Sequence, residues 1–396
     1  MERSNAPGLY HVEGDINSLM EIGGAPAKTR EADLTERGKE KSMKILAVQG
    51  SPRPKRSNTD ILLQEFLKGA RSKGAETETI YLKGKDIHSC IGCFTCWAKT
   101  PGVCVFKDDM QELLEKVREC EVFVCATPLY NYNMTSLLKG FQERLLPLYD
   151  PHLVKTGETY RHAGRHEVSW KMVLISTCGL PEISHFDALR HVFRLIERIG
   201  GVPLIGELLM PAGELLKLEA FREKVQGVLQ ASHRAGVEVV RDGKVSKETE
   251  ARIQEPVISA DEIAEWANLL WDSYLEGVTQ GKPEEMGKME DIRLLLKGMT
   301  LTFNATAAGD LKATIQLEVT GKQPGNWFLS IEDGRCNFHE GNADSPTLTI
   351  NTPSEIWLAI ANGEMDGQQA FMQGKFTASG DIGLLMRMND LFGSAG

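Results

Sequence analysis

No apolar run in the sequence approaches the length of a membrane span. The opening residues, MERSNAPGLYHVEGD, lack the charged, apolar and small-residue zones of a secretory signal. Positive charge is in deficit: 45 Lys and Arg stand against 55 Asp and Glu, a net charge of -10. That argues against nucleic acid as a partner, because a polyanion needs a basic surface. Neither G-x-x-x-x-G-K-[ST] nor G-x-G-x-x-G occurs, so the sequence signals neither a P-loop nor a dinucleotide fingerprint. The expected location is the cytoplasm, where eight cysteines would stay reduced rather than build a disulfide framework. What remains is the composition of an ordinary globular protein, 41% hydrophobic and 25% charged. At 396 residues it exceeds what one core usually organises, and two domains are expected.

Residues 1–42 are polar, without a sustained apolar period, and read as a flexible leader. From residue 44 the pattern becomes α/β. Apolar strand segments at 44–50, 76–82, 122–127, 172–176 and 202–209 alternate with helical spacing at 57–73, 108–119, 136–148 and 186–199. Such alternation predicts a doubly wound parallel sheet of five strands in flavodoxin-like order, with ligand loops at its carboxyl edge. Further helices are predicted at 215–238 and 261–275, the latter opened by a Ser259/Glu262 capping box. The stretch 156–166 reads as a polar surface insertion. The flavodoxin-like domain is thus placed at 43–276, followed by a Gly-rich linker at 277–290. Residues 291–396 change character: 311–319 alternates strictly, predicting an antiparallel sheet with one wet face, joined by segments at 327–331, 335–339 and 347–350. A helix is expected next, with Thr352 as cap, Pro353 at its first position and Glu355 completing a box. These features describe a separate α+β domain.

The first strand runs into GSPRPKRSNT, residues 50–59, where Ser51, Ser57 and Thr59 hydroxyls, the Asn58 amide and a starting helix make an anion cradle. After the third strand, Pro128, Leu129, Tyr130 and Asn131 reach the sheet's carboxyl edge, and Thr177, Cys178 and Gly179 do so after the fourth. Together GSPR…SNT, TPLYNYNMTSLLKGFQER and STCG resemble the NAD(P)H-dependent FMN reductases of the flavodoxin-like superfamily. The resemblance implies that Ser51, Arg53, Ser57, Asn58 and Thr59 hold the FMN phosphate. It places Pro128, Leu129, Tyr130 and Asn131 along the isoalloxazine, with Thr177, Cys178 and Gly179 at its other edge. It also implies NAD(P)H as electron donor, a small or hydrophobic acceptor, and self-association into a homo-oligomer.

Cys90, Cys93 and Cys96 form C-x2-C-x2-C, and Cys104 follows after seven residues. Four thiolates in a compact loop can surround one iron–sulfur cube. The pattern resembles the iron–sulfur flavoproteins, which implies a [4Fe-4S] cluster beside FMN and a redox partner protein. An alternative stands beside it: related flavin reductases carry a similar Gly-Cys…Cys-Trp…Gly…Cys…Asp-Asp-Met segment in which the thiols are structural or reactive. Finally, GEMDGQQAFMQGKFTASGD (363–381) with the preceding strands resembles the sterol carrier protein type two family, implying a module for a lipid or other hydrophobic ligand. Met365, Phe371, Met372, Met386 and Met388 supply adaptable apolar side chains at this end. The other reading is that they simply fill a small core.

Overall fold

A computed structural model describes residues 42–54, 57–166, 170–218, 221–280 and 289–393. The expected leader, apart from Ser42, and the middle of the expected linker therefore lie outside the described residues, as do Lys55 and Arg56 of the phosphate loop.

The apolar segments of the first half form β1 (Lys44–Gln49), β2 (Glu76–Tyr81), β3 (Val122–Pro128), β6 (Lys171–Thr177) and β7 (Leu204–Met210). They make one parallel sheet in the order β2-β1-β3-β6-β7, the flavodoxin-like arrangement that the alternation predicted. β3 and β6 are buried along nearly their whole length, as strands covered on both faces must be. Between β2 and β3 lie the short α2 (Thr95–Ala98) and α3 (Met110–Glu119), and α1 (Asn58–Arg71) joins β1 to β2. The helix predicted at 136–148 ends early. α4 spans Ser136–Glu143, and Pro147, which cannot donate to a helical ladder, turns the next residues into a 3₁₀ turn. The chain then makes a hairpin, β4 (Tyr149–Thr156) and β5 (Thr159–Gly164), where only a polar surface insertion was expected. α5 (Asp187–Leu195) closes in a π turn, Ile196–Gly200.

After β7 a 3₁₀ turn, Gly213–Lys217, precedes α6 (Arg222–Asp242), α7 (Lys247–Gln254) and α8 (Ala260–Leu275). The Ser259/Glu262 capping box forms as predicted. α6 lies directly on α1. A Cβ at Gly236 would sit 1.9 Å from the Phe66 carbonyl oxygen, and one at Gly69 would sit 1.9 Å from that of His233. The two backbones touch, and Ser232 Oγ donates across the contact to Leu62 O at 2.8 Å.

α9 (Ile292–Thr302) and the short α10 (Ala305–Ala308) open the second half. Its sheet comprises β8 (Ala313–Thr320), β9 (Gly325–Glu332), β10 (Arg335–Glu340), β11 (Leu348–Pro353) and β12 (Thr377–Gly380) in the order β10-β9-β8-β11-β12. Ala313, Ile315, Leu317 and Val319 are buried, as the alternation required. The sheet is mixed, however: β11 runs parallel to β8, because β9 and β10 form a meander with β8 before the chain returns to the other side of β8. The helix after β11 also starts later than expected. α11 is Ser354–Ala361 with Pro353 as its extended N-cap, and Thr352 and Pro353 still pair with β8, so no side-chain cap forms. α12 (Gly367–Met372), α13 (Ile382–Met386) and α14 (Met388–Phe392) complete the layer.

α9 serves both halves. Leu294 and Leu301 are buried in the apolar cluster of α1, α6 and α8, whereas Ile292 and Leu296 are buried under the second sheet. Lys297 pairs with Glu265 of α8 at 2.8 Å, and Arg293 with Glu276 at 2.6 Å. Among the described residues, no helix is long and apolar enough to cross a membrane.

Candidate functional site

The phosphate loop is built from inside the sheet. Gln49, fully buried at the end of β1, accepts from the Ser51 amide at 2.5 Å and donates to Ser57 Oγ at 2.8 Å. Ser57 then caps α1 by accepting from the Asp60 amide at 3.0 Å. Cap and strand thus hold the loop from both ends, leaving the amides of Asn58 and Thr59 as the helix's open donors among the described residues. Ser51, Ser57, Asn58 and Thr59 are all buried, while Arg53 is exposed. Asn58 Oδ1 is buried without a partner, and an amide in that position can turn to present its N–H₂. An anion with attached hydroxyls would satisfy this set of donors. Half-buried Lys217 adds a second cation near Arg53. Burial lowers its pKa first, Glu214 pulls the other way, and the Arg53 charge lowers it further.

The two loops expected to line a flavin meet this cradle. Thr59 Oγ1 and Thr177 Oγ1 share a hydrogen bond of 2.8 Å, and Gly213 packs so closely that a Cβ there would lie 2.8 Å from Thr177 Cβ. Leu129 N donates to Thr177 O at 2.9 Å, joining the loop after β3 to the one after β6. Tyr130 and Asn133 exchange two backbone bonds of 2.8 and 3.0 Å around Asn131 and Tyr132, both left-handed at φ 48° and 64°. A left-handed tyrosine is strained, and such strain persists where the surroundings enforce it. The turn leaves Tyr130 and Tyr132 about half exposed, with Tyr132 stacked at 6.1 Å on His185. Pro128 and Leu129 are half-buried, Gly179 is exposed and Cys178 is buried, its thiol pushed up to about 11 by burial. The residues expected around FMN therefore share one sheet edge.

The loop after β2 lies at that edge too. Cys90, Cys93, Cys96 and Cys104 line one small pocket, whose remaining walls are mostly apolar: Ile91, Phe94, Val105 and Leu146 among them. All eight cysteines are free. Burial and the nearby Cys104 thiol push Cys96 up, while hydrogen bonding to Thr95 lowers Cys93. Among the described residues, no three His, Cys, Asp or Glu side chains form a group able to grip a single metal ion. Four thiols around a common pocket suit a polynuclear sulfide cluster by donor chemistry.

Two residues that the sequence analysis quoted within motifs, without giving them a role, hold this loop. Asp108 and Arg144 have side chains 0% and 1% exposed and form a forked ion pair, Nη1–Oδ2 at 2.6 Å and Nη2–Oδ1 at 3.0 Å. Arg144 also donates to His88 O at 2.6 Å, and Asp108 accepts from the amides of His88 and Met110. Burial alone would raise the Asp108 pKa, but Arg144 and these amides hold it down to about 2. Burial opposes the Arg144 charge too, yet Asp108 and the Cys104 thiol keep it firmly protonated. Their sequence signals were the Asp-Asp-Met segment before α3 and the arginine that closes TPLYNYNMTSLLKGFQER. Gln49 had one as well, a polar residue closing an apolar strand.

Residues 43–210 match the family model described as NADPH-dependent FMN reductase, and residues 302–393 that of the SCP-2 sterol transfer family. An iron–sulfur flavoprotein of Archaeoglobus fulgidus is 41% identical over 105 residues, 26% of this chain and 46% of its own. Another from Methanocaldococcus jannaschii is 38% identical over 106 residues, 27% of this chain and 53% of its own. The chain thus spans about half the length of the curated relatives it matches. An FMN-dependent NADH-azoreductase from Bacillus anthracis, solved in complex with FMN, aligns with 50% of this chain and 99% of its own at 15% identity and a TM-score of 0.40.

Proposed function

Since residues 43–210 match the model of the NADPH-dependent FMN reductase family and residues 302–393 that of the SCP-2 sterol transfer family, we propose an FMN-dependent oxidoreductase that takes electrons from NAD(P)H to a small or hydrophobic acceptor. The observation that carries this reading is the Thr59–Thr177 hydrogen bond, which brings the anion cradle and the flavin loops together at one sheet edge. FMN, when bound, supplies hydride acceptance and the release of electrons singly or in pairs. The chain's part is to bind and orient. Ser51, Arg53, Ser57, Asn58 and Thr59 hold the phosphate at the positive end of α1. Pro128, Leu129, Tyr130 and Asn131 line the ring on one side, and Thr177, Cys178 and Gly179 border it on the other. Residues 43–276 form the flavin domain, 277–290 the linker and 291–396 a module that holds a hydrophobic ligand.

Cys90, Cys93, Cys96 and Cys104 hold a [4Fe-4S] cluster in this reading, supported by their common pocket and by relatives named for such a centre. The protein works in the cytoplasm, consistent with its free thiols. It assembles as a homo-oligomer, a role suited to the exposed Leu153 and Tyr160 of the β4–β5 hairpin. Anaerobic purification, with a visible spectrum and flavin, iron and sulfide analysis, tests the proposal. A colourless protein that fails to take up added FMN would refute it.

A second reading, electron transfer between partner proteins, draws on Ile91, Phe94, Val103 and Val105, all exposed around the cysteines. Bound FMN and iron with negligible NAD(P)H turnover would select it.

A further inference from the structure

Arg144 stands in the wall of the cysteine pocket, and its donors are unevenly used. Nη1 serves Asp108 and His88, and Nη2 serves Asp108, but Nε is buried with no partner. A buried donor left unmade is costly, and a guanidinium cannot shed its proton to avoid that cost. Phe106 lies over the guanidinium at 5.2 Å. Glu143, the one carboxylate in the pocket wall, turns away to Lys139 at 2.6 Å. Cys104 lines the same pocket as Arg144, and its sulfur can accept from that Nε–H.

We propose that Arg144 reserves its Nε–H for the sulfur of Cys104, and that this bond and its fixed charge raise the reduction potential of a cluster held by the four cysteines. The inference rests on the iron–sulfur reading above. The physical ground is general: thiolates carry extra negative charge when a cluster is reduced, and a hydrogen bond or cation beside them favours that state. Asp108 offsets part of the guanidinium charge, but it engages only the two Nη atoms and leaves the Nε–H for the sulfur. Arg144 is thereby a positioning residue with two tasks, bracing the loop through its Nη atoms and addressing the sulfur through Nε.

The test is an EPR-monitored redox titration of anaerobically purified wild-type protein, of Arg144→Lys, and of the double variant Asp108→Asn/Arg144→Met. The double variant removes the buried pair together, so no charge is stranded. Both variants are expected to keep iron and sulfide at wild-type stoichiometry, to titrate at a lower cluster potential, and to leave the flavin potential unmoved. Iron retained at an unshifted cluster potential in either variant overturns the inference. A wild-type protein without iron overturns the underlying reading instead, so the two failures are distinct. Should neither variant fold, ¹⁵N-arginine-labelled wild type decides. A buried arginine Nε–H resonance that shifts on cluster reduction supports the assignment, and its absence refutes it.

Discussion

Replacing Asp108 by Asn keeps the shape of the loop brace and removes its negative charge. The carboxyl is held at about 2 against a usual 3.8. At about 1.36 kcal/mol for each unit of pKa, that difference corresponds to about 2 kcal/mol of stability at neutral pH. No discount for solvent applies, since both side chains are essentially unexposed. The variant also strands the Arg144 charge in the interior, which brings the expected loss to about 3 kcal/mol, at the lower end of broken buried pairs. In thermal unfolding this amounts to roughly 5 °C. The sign with pH follows from the depressed value. The contribution is complete above the unfolded pKa near 4 and fades as pH falls through 4 towards 2. The gap between wild type and Asp108→Asn should therefore be widest at neutral pH and close in acid. Urea denaturation at pH 7 and near pH 2.5 measures it. A loss below about 1 kcal/mol at pH 7, or a gap that persists undiminished in acid, would refute the reasoning.

Gly236→Ala should cost about 3 kcal/mol, because its methyl group meets the Phe66 carbonyl of a helix that cannot yield without opening the α1–α6 contact; a shifted urea midpoint reports it. Thr59→Val removes the bond to Thr177 while keeping side-chain shape. FMN should bind about tenfold more weakly, a change of about 1.4 kcal/mol by fluorescence titration, and an unchanged Kd would count against the proposed cradle. Truncation before residue 289 should lower the melting temperature of the first half, because Leu294 and Leu301 leave its core; an unchanged melting curve would show that α9 adds nothing to it.

Local chemistry was legible in the sequence wherever it was dictated locally. The β1–loop–α1 unit, the Ser259 capping box and the buried alternation of β8 each follow from side chains within a few residues of one another. The fourfold cysteine loop was legible as spacing, although spacing alone left its purpose open. What escaped was set by distant partners. Arg144 gains its role only because α4 is laid against the loop after β2. β11 looked antiparallel because period-2 alternation is the same in either direction, and only the crossover through residues 341–347 fixes its sense. Pro353 illustrates a near miss: it marks the start of α11, but pairing with β8 keeps it extended and moves the helix on by one residue. The β4–β5 hairpin was hidden by its polar, exposed strands, which lack the signature of a half-buried sheet.

Helix α9 has a consequence for how this protein can be taken apart. Its Leu294 and Leu301 belong to one core and its Ile292 and Leu296 to the other, so the seam between the halves is itself structural material for each. Neither half can be lifted out by a cut on one side of the seam without opening a hole in the half that loses the helix. The same sharing makes stability common property: a ligand that tightens the second sheet resists the loosening of α9, and the core of α1, α6 and α8 gains part of that resistance. A ligand bound in either half would lengthen the life of the other half's fold.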